Sequence, residues 1–141
     1  MQNKNKQIYI NLIVKDLEKA TKFYEEIGFV KNPMFSNELA SGLAWSEEII
    51  IMLLSTEFAK NFTDGKEIAD PKKTVSCMYA LGFNTKEEVD EFVKKVESAG
   101  GRVYKNKYNE GYDFMYTFEV EDLDGYIWEP AFMDLSKFPQ N

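Results

Sequence analysis

The sequence predicts an α+β fold made of two tandem βαβββ units. Three observations support this class: short apolar runs of strand length, amphipathic helical patterns between them, and recurrence of the same order after roughly 70 residues. At 141 residues the chain has room for one compact domain, or for two small halves that share a core. Two coincidental strand–helix starts are the alternative, but an isolated unit of this size cannot bury both faces of its sheet.

The first predicted unit spans residues 7–68. Ile8–Val14 is rich in β-branched residues and too short for an isolated helix, which indicates a buried strand. Asp16 follows as a helix N-cap, and apolar residues recur at helical spacing until Gly28 ends the helix. Three strands are predicted next, and then a short helix with a linker, at residues 29–35, 39–46, 49–55 and 56–73.

The second predicted unit spans residues 75–134 and repeats this order. Val75–Phe83 is a strand of similar character to the first one. Thr85 caps the following helix, with Glu88 at the capping-box position. The remaining strands are predicted at residues 102–105, 114–121 and 126–132. Gly125 belongs to the turn before the last strand, where a positive φ angle is expected.

Composition and charge exclude several classes of function. The chain has 24 acidic and 17 basic residues, a net charge of −7, so we expect no nucleic-acid partner. It has no histidine, which removes Ser-His-Asp and Cys-His catalysis and every imidazole metal ligand. Cys77 is the single cysteine and cannot form an internal disulfide; its apolar neighbours predict a buried, inert thiol.

No membrane partner is expected either. The apolar runs fall short of the ~18 residues that a membrane-spanning helix needs. The amino-terminal residues lead directly into a strand-like run and lack the apolar core of a signal peptide. The sequence therefore predicts a soluble, cytoplasmic protein.

Two motifs resemble those of a known superfamily. The first is VKDLEKATKFYEEIGF at residues 14–29, and the second is EDLDGYIWE at residues 121–129. Together with the paired βαβββ units they are similar to the vicinal oxygen chelate superfamily, which includes glyoxalase I, extradiol dioxygenases, fosfomycin-resistance enzymes and bleomycin-resistance proteins. The resemblance covers about residues 7–134. It implies one domain over residues 1–141, with curved mixed sheets around a cleft, helices outside and a divalent metal inside.

The resemblance also implies where the metal ligands of the superfamily would fall. Their four positions correspond to Asn11, Met52, Met78 and Glu129. The two-residue period of a strand allows all four side chains to point inward. One carboxylate, one amide and two soft thioethers do not suit a hard divalent ion. We therefore predict neither a metal site nor any other cofactor.

These positions are instead candidates for binding a small molecule. Glu129 is a ligand anchor or a general base with a raised pKa, and its structural alternative is a carboxylate satisfied by neighbouring groups. Asn11 would then lie beside it, with Met52 and Met78 as apolar walls; a local hydrogen bond and core filling are the alternatives for these three.

An aromatic segment precedes the last hairpin. Tyr112 and Tyr116 belong to this segment, which spans Tyr108–Tyr116. It forms either a lip that stacks on a flat ligand, with both tyrosines as ligand contacts, or a β-hairpin that buries alternate aromatic side chains.

Two functions of different class follow. The leading hypothesis is a metal-independent binding protein that holds an unidentified small molecule in an aromatic and methionine-lined cleft. The alternative is a lyase- or isomerase-type enzyme of the same superfamily, glyoxalase-like, that uses Glu129 as a base or as a residual metal ligand. The resemblance and the aromatic content also predict a homodimer.

Overall fold

The chain is divided into two compact units, Met1–Asp70 and Pro71–Asn141. The computed structural model describes residues 6–138. Each unit carries a mixed sheet with a helix packed on one face, so the α+β class and the βαβββ order are confirmed.

The first unit has the predicted element order. Its strands and helices are β1 (Ile8–Val14), α1 (Leu17–Glu26), β2 (Val30–Asn32), β3 (Ala40–Ala44), β4 (Ile49–Ser55) and α2 (Thr56–Ala59). The sheet order is β1-β4-β3-β2, with β1 parallel to β4 and the other pairs antiparallel. Asp16 caps α1 as predicted, because its carboxylate accepts a hydrogen bond from the Lys19 amide at 3.0 Å.

The strand predicted at 29–35 is shorter than expected. It ends at Asn32, whose side-chain oxygen accepts a hydrogen bond from the Met34 amide at 3.0 Å. Pro33 has no amide hydrogen to donate to a neighbouring strand, and residues 33–35 form a 3-10 turn instead. The side chain of Asn32 and the ring of Pro33 therefore stop the ladder together.

The second unit contains β5 (Tyr79–Phe83), α3 (Lys86–Ser98), β6 (Arg102–Tyr104), β7 (Met115–Thr117), β8 (Glu119–Glu121) and β9 (Ile127–Met133). The sheet order is β5-β9-β8-β6, and β7 also pairs with β9. Thr85 caps α3 by accepting the Glu88 amide at 3.1 Å, and Glu88 in turn accepts the Asn84 amide. Gly125 has the predicted positive φ angle, +107°.

Two strand predictions in this unit were wrong in extent. The strand predicted at 75–83 begins at Tyr79, whose partner on β9 is Trp128, and β9 itself begins at Ile127. Residues 75–78 therefore precede the ladder, and Cys77 is exposed rather than buried.

The strand predicted at 114–121 is interrupted at Phe118. It divides into β7 and β8 beside Pro130 of β9, which has no amide hydrogen for the ladder. Phe118 donates its own amide hydrogen to the Pro130 carbonyl at 3.2 Å.

Within residues 6–138, every helix is too short or too polar to cross a membrane.

Candidate functional site

Two glutamate side chains lie opposite each other on β8 and β9. The antiparallel register pairs Glu121 with Ile127 and Val120 with Trp128, so one step further it brings Glu119 opposite Glu129. The two carboxyl groups are hydrogen-bonded to each other. Burial, the hydrogen bond to Glu119 and the negative charge of Glu119 together raise the pKa of Glu129 to about 7.

Glu119 is held from its other side by Asn106. The Asn106 side-chain amide donates a hydrogen bond to Glu119 Oε1 at 2.5 Å. Only 8% of the Glu119 side chain is exposed. A buried carboxylate is costly unless its oxygens are hydrogen-bonded. Asn106 and Glu129 supply these bonds, which fixes the orientation of Glu119.

This glutamate pair lies in a cavity of about 410 Å³ within the second unit. The cavity is lined by Met78, Tyr104, Asn106, Tyr108, Met115, Glu119 and Glu129. Among these described residues none is basic. The volume lies within the range of small-molecule sites, and the walls combine apolar side chains with a few convergent polar groups.

One edge of the same sheet carries an ion pair. Arg102 donates to Glu121 Oε2 at 2.6 Å, and its guanidinium lies 4.7 Å from the centre of the Tyr104 ring. The pKa of Tyr104 is raised by burial first, and then by the charges of Glu121 and Glu119. Glu121 therefore has its own cationic partner, whereas Glu119 and Glu129 have each other and Asn106.

The cavity contains two of the predicted site residues. Glu129 and Met78 both line it, although 64% of Met78 is exposed. Met78 follows Cys77 and directly precedes β5, so it lies outside the strand ladder.

The two predicted tyrosines do not line this cavity. Tyr116 donates a hydrogen bond to Asp90 Oδ1 of α3 at 2.5 Å, so it lies on the helix side of the sheet. That bond, burial and the charge of Asp90 raise its pKa to about 12. Tyr112 is 39% exposed and donates to the Tyr108 hydroxyl at 3.2 Å. The segment begins as a 3-10 turn at Tyr108–Gly111, so the predicted β-hairpin does not form there.

Asn11 and Met52 belong to the first unit. They are register partners on the parallel strands β1 and β4, and Asn11 is exposed. Met52 packs against the buried cluster of Ala40, Leu54 and Ala59. The alternation predicted for β1 is confirmed, because Leu12 and Val14 are buried while Asn11 faces the other way.

The residues at the four ligand positions do not fit a divalent metal. Two are thioethers, Asn11 supplies a single amide, and the Glu129 carboxyl is hydrogen-bonded to Glu119. In the described part of the chain, no group of three or more His, Cys, Asp or Glu side chains could hold a metal ion.

Sequence reasoning missed Glu119, Asn106 and Tyr104. The signal for Glu119 was present, because Glu119 and Glu129 are each five positions from Asp124, on which the register of the two strands is centred. In a two-stranded antiparallel pair such positions face each other. Asn106 lies beyond the end of β6, and no local pattern points to it.

Comparisons with known proteins agree with this architecture. A family model described as the Glyoxalase/Bleomycin resistance protein/Dioxygenase superfamily matches residues 6–129. A hypothetical protein from S. aureus has a similar structure, with 28% identity, a TM-score of 0.73, and coverage of 93% of this chain and 96% of that one. No curated protein matches the sequence.

Two more distant structures share the fold. A glyoxalase/bleomycin resistance protein/dioxygenase family enzyme from Burkholderia phytofirmans PsJN is 20% identical, with a TM-score of 0.74 over 89% of this chain and 97% of that one. The fosfomycin resistance protein FosX from Listeria monocytogenes is 18% identical, with a TM-score of 0.64 over 95% of this chain and 93% of that one.

Proposed function

We propose that this chain, which belongs to the glyoxalase/bleomycin resistance protein/dioxygenase superfamily, binds a small organic molecule without the help of a divalent metal. The proposed binding site is the cavity of the second unit, with Glu129 as its main polar contact. Met78, Tyr108 and Met115 form the apolar walls against which the body of the ligand packs.

One observation carries this proposal: a half-buried carboxyl group faces a cavity of ligand size without a basic residue among its described lining side chains. Binding pockets combine apolar walls with a small number of oriented polar groups. Asn106 and Glu119 provide that orientation here, because they hold the carboxyl pair in place before any ligand arrives.

Metal independence is supported by the donor atoms. Thioether sulfur is a soft ligand, and the amide and carboxylate that remain supply too few oxygen ligands for Mg²⁺ or Mn²⁺. We expect that Zn²⁺, Mn²⁺ or Ni²⁺ at tenfold excess does not change the melting temperature. Elemental analysis finding about one such ion per chain after gentle purification would contradict the proposal.

The function is tested by screening small molecules against chelator-treated protein and by following amide resonances in NMR spectra. Binders are expected to shift the resonances of cavity residues such as Tyr104 and Met115. In Glu129→Gln the shape of the side chain is kept while its charge is removed, so the affinity for a cationic binder should fall about ten- to hundredfold. Glu97→Gln, an exposed change on α3, controls for the loss of one negative charge.

An acid–base enzyme is the second candidate, and the raised pKa of Glu129, about 7, favours it. A carboxyl group that titrates near neutral pH can accept and return a proton within the pH range of the cell. Under this alternative Glu129→Gln abolishes turnover while substrate affinity changes little, because a base acts on the transition state. Affinity and turnover of this one variant separate the two functions.

We also propose that the protein is a cytoplasmic homodimer. Large apolar side chains remain exposed in the described chain, among them Met34 at 88%, Phe62 at 67% and Leu135 at 69%. Apolar side chains of this kind mark an interface between subunits where they form a continuous patch. The exposed thiol of Cys77 suits a reducing compartment. Light scattering at micromolar concentration should give the mass of two chains; the mass of a single chain would contradict the dimer.

A further inference from the structure

We infer that the cavity recognises an organic cation: a primary ammonium group on an apolar body, with the ammonium held between the carboxyl groups of Glu119 and Glu129. This inference rests on the proposed function and specifies the class of ligand. It assigns to the ligand the positive charge that the residues of the site do not supply.

The described lining of the cavity carries negative charge without a matching positive charge. It includes two carboxyl groups and no lysine or arginine. Arg102, on the edge strand of the same sheet, is paired with Glu121 at 2.6 Å. Among the described lining residues no cation compensates negative charge on the glutamate pair, and an incoming ammonium supplies one.

The geometry of the glutamate pair suits an ammonium group. Side chains directly opposite each other on antiparallel strands have Cβ atoms about 5 Å apart. An ammonium group has three donors, so it can donate to one oxygen of each carboxyl group and still keep a donor for a third acceptor. Asn106 holds Glu119 Oε1 at 2.5 Å, and Glu119 is 8% exposed, so this half of the pair is ordered in advance.

The walls of the cavity combine an aromatic ring with thioethers. Tyr108 lines the cavity and is 76% exposed, while Met78 and Met115 contribute flexible thioether side chains. An aromatic face attracts a cation and packs equally well on an apolar ring. A ligand with a charged end and an apolar body matches both parts of the cavity, whereas an anion would meet two carboxyl groups.

Three probes with the same phenyl body test this inference: 2-phenylethylamine, 2-phenylethanol and 3-phenylpropanoate. Their affinities for the full chain are measured at about pH 8 by NMR titration, where the amine is a cation. The amine is expected to bind at least tenfold more tightly than the alcohol, and the carboxylate least tightly. Glu119→Gln and Glu129→Gln should each lower the affinity for the amine about tenfold and change the affinity for the alcohol by no more than about twofold. Glu97→Gln should change neither affinity.

The possible failures are distinguishable. If the alcohol or the carboxylate shifts the cavity resonances as strongly as the amine, the cavity binds small molecules but has no preference for a cation, and the inference is wrong. If none of the three probes shifts these resonances at millimolar concentration, the inference is overturned, and the proposed function is overturned as well only if the wider screen also yields no cavity binder. If the amine binds but Glu119→Gln and Glu129→Gln leave its affinity unchanged, the cation is held elsewhere and the role of the pair is refuted.

Discussion

Glu119 and Glu129 are hydrogen-bonded carboxyl groups on neighbouring antiparallel strands, and a third residue, Asn106, donates to Glu119 from outside the pair. Two like charges opposite each other on one sheet face destabilise it, and a proton held by Glu129, whose pKa is raised to about 7, relieves this repulsion. The same arrangement leaves the site ready to accept a positively charged group in place of that proton.

The stability of the protein should therefore decrease as the pH rises toward neutrality. The pKa of Glu129 is raised from 4.5 to about 7 in the native state, so between these values the native chain binds more protons than the unfolded chain. The contribution of Glu129 to the free energy of unfolding is therefore complete below about pH 4.5 and is lost as the pH rises past 7. After allowance for solvent screening we expect a loss of about 1–2 kcal/mol.

Urea unfolding at a series of pH values measures this slope. In Glu129→Gln the decrease should be absent, and the variant should be more stable than the natural protein at about pH 8, because a half-buried charge is removed. Glu97→Gln should show the same decrease of the unfolding free energy with pH as the natural protein. If Glu129→Gln also shows this decrease, another group is responsible for it.

Tyr116→Phe separates the helix side of the sheet from the cavity side. The substitution removes the hydrogen bond to Asp90 and should cost about 0.5–1.5 kcal/mol in unfolding free energy. The affinity of a cavity ligand should stay unchanged, since Tyr116 is directed toward α3. A loss of affinity with unchanged stability would return Tyr116 to the binding site, as the sequence had suggested.

Gly125→Ala tests the turn that sets the register of the glutamate pair. Gly125 has a φ angle of +107°, and a Cβ atom there would lie 2.8 Å from the Lys72 amide nitrogen and 2.9 Å from the Pro71 carbonyl carbon. Strain and collision with backbone should together cost about 2 kcal/mol or more. Gly82→Ala is the matched control, because a Cβ atom there meets nothing within 4 Å. Equal effects of both substitutions on the unfolding midpoint would refute this account of the turn.

Local signals in the sequence predicted the elements well. Asp16 and Thr85 cap their helices as expected, and the alternation of Leu12 and Val14 identifies the buried face of β1. These features depend on residues within a few positions of each other, so they can be predicted from a single sequence.

The early end of β2 has a local cause in Asn32 and Pro33, but two other errors concern features that depend on a distant partner. The exposed Cys77 precedes β5, whose first ladder partner is Trp128 on β9, and the break at Phe118 coincides with Pro130 on the next strand. Neither dependence is visible near the residue that it affects. The same distinction applies to the site. Glu129 was identified from its local motif, but identifying its partner Glu119 required knowledge of how β8 and β9 pair across the turn.

A crystal structure of chelator-treated protein with the strongest binder from the screen would show directly whether the cavity holds its ligand without a metal. We expect ligand density in the cavity of the second unit, with a polar ligand atom within about 3.2 Å of a Glu129 carboxyl oxygen and no metal between them. Ligand density at another site, or a metal ion coordinated by Glu129 and the ligand, would contradict this expectation.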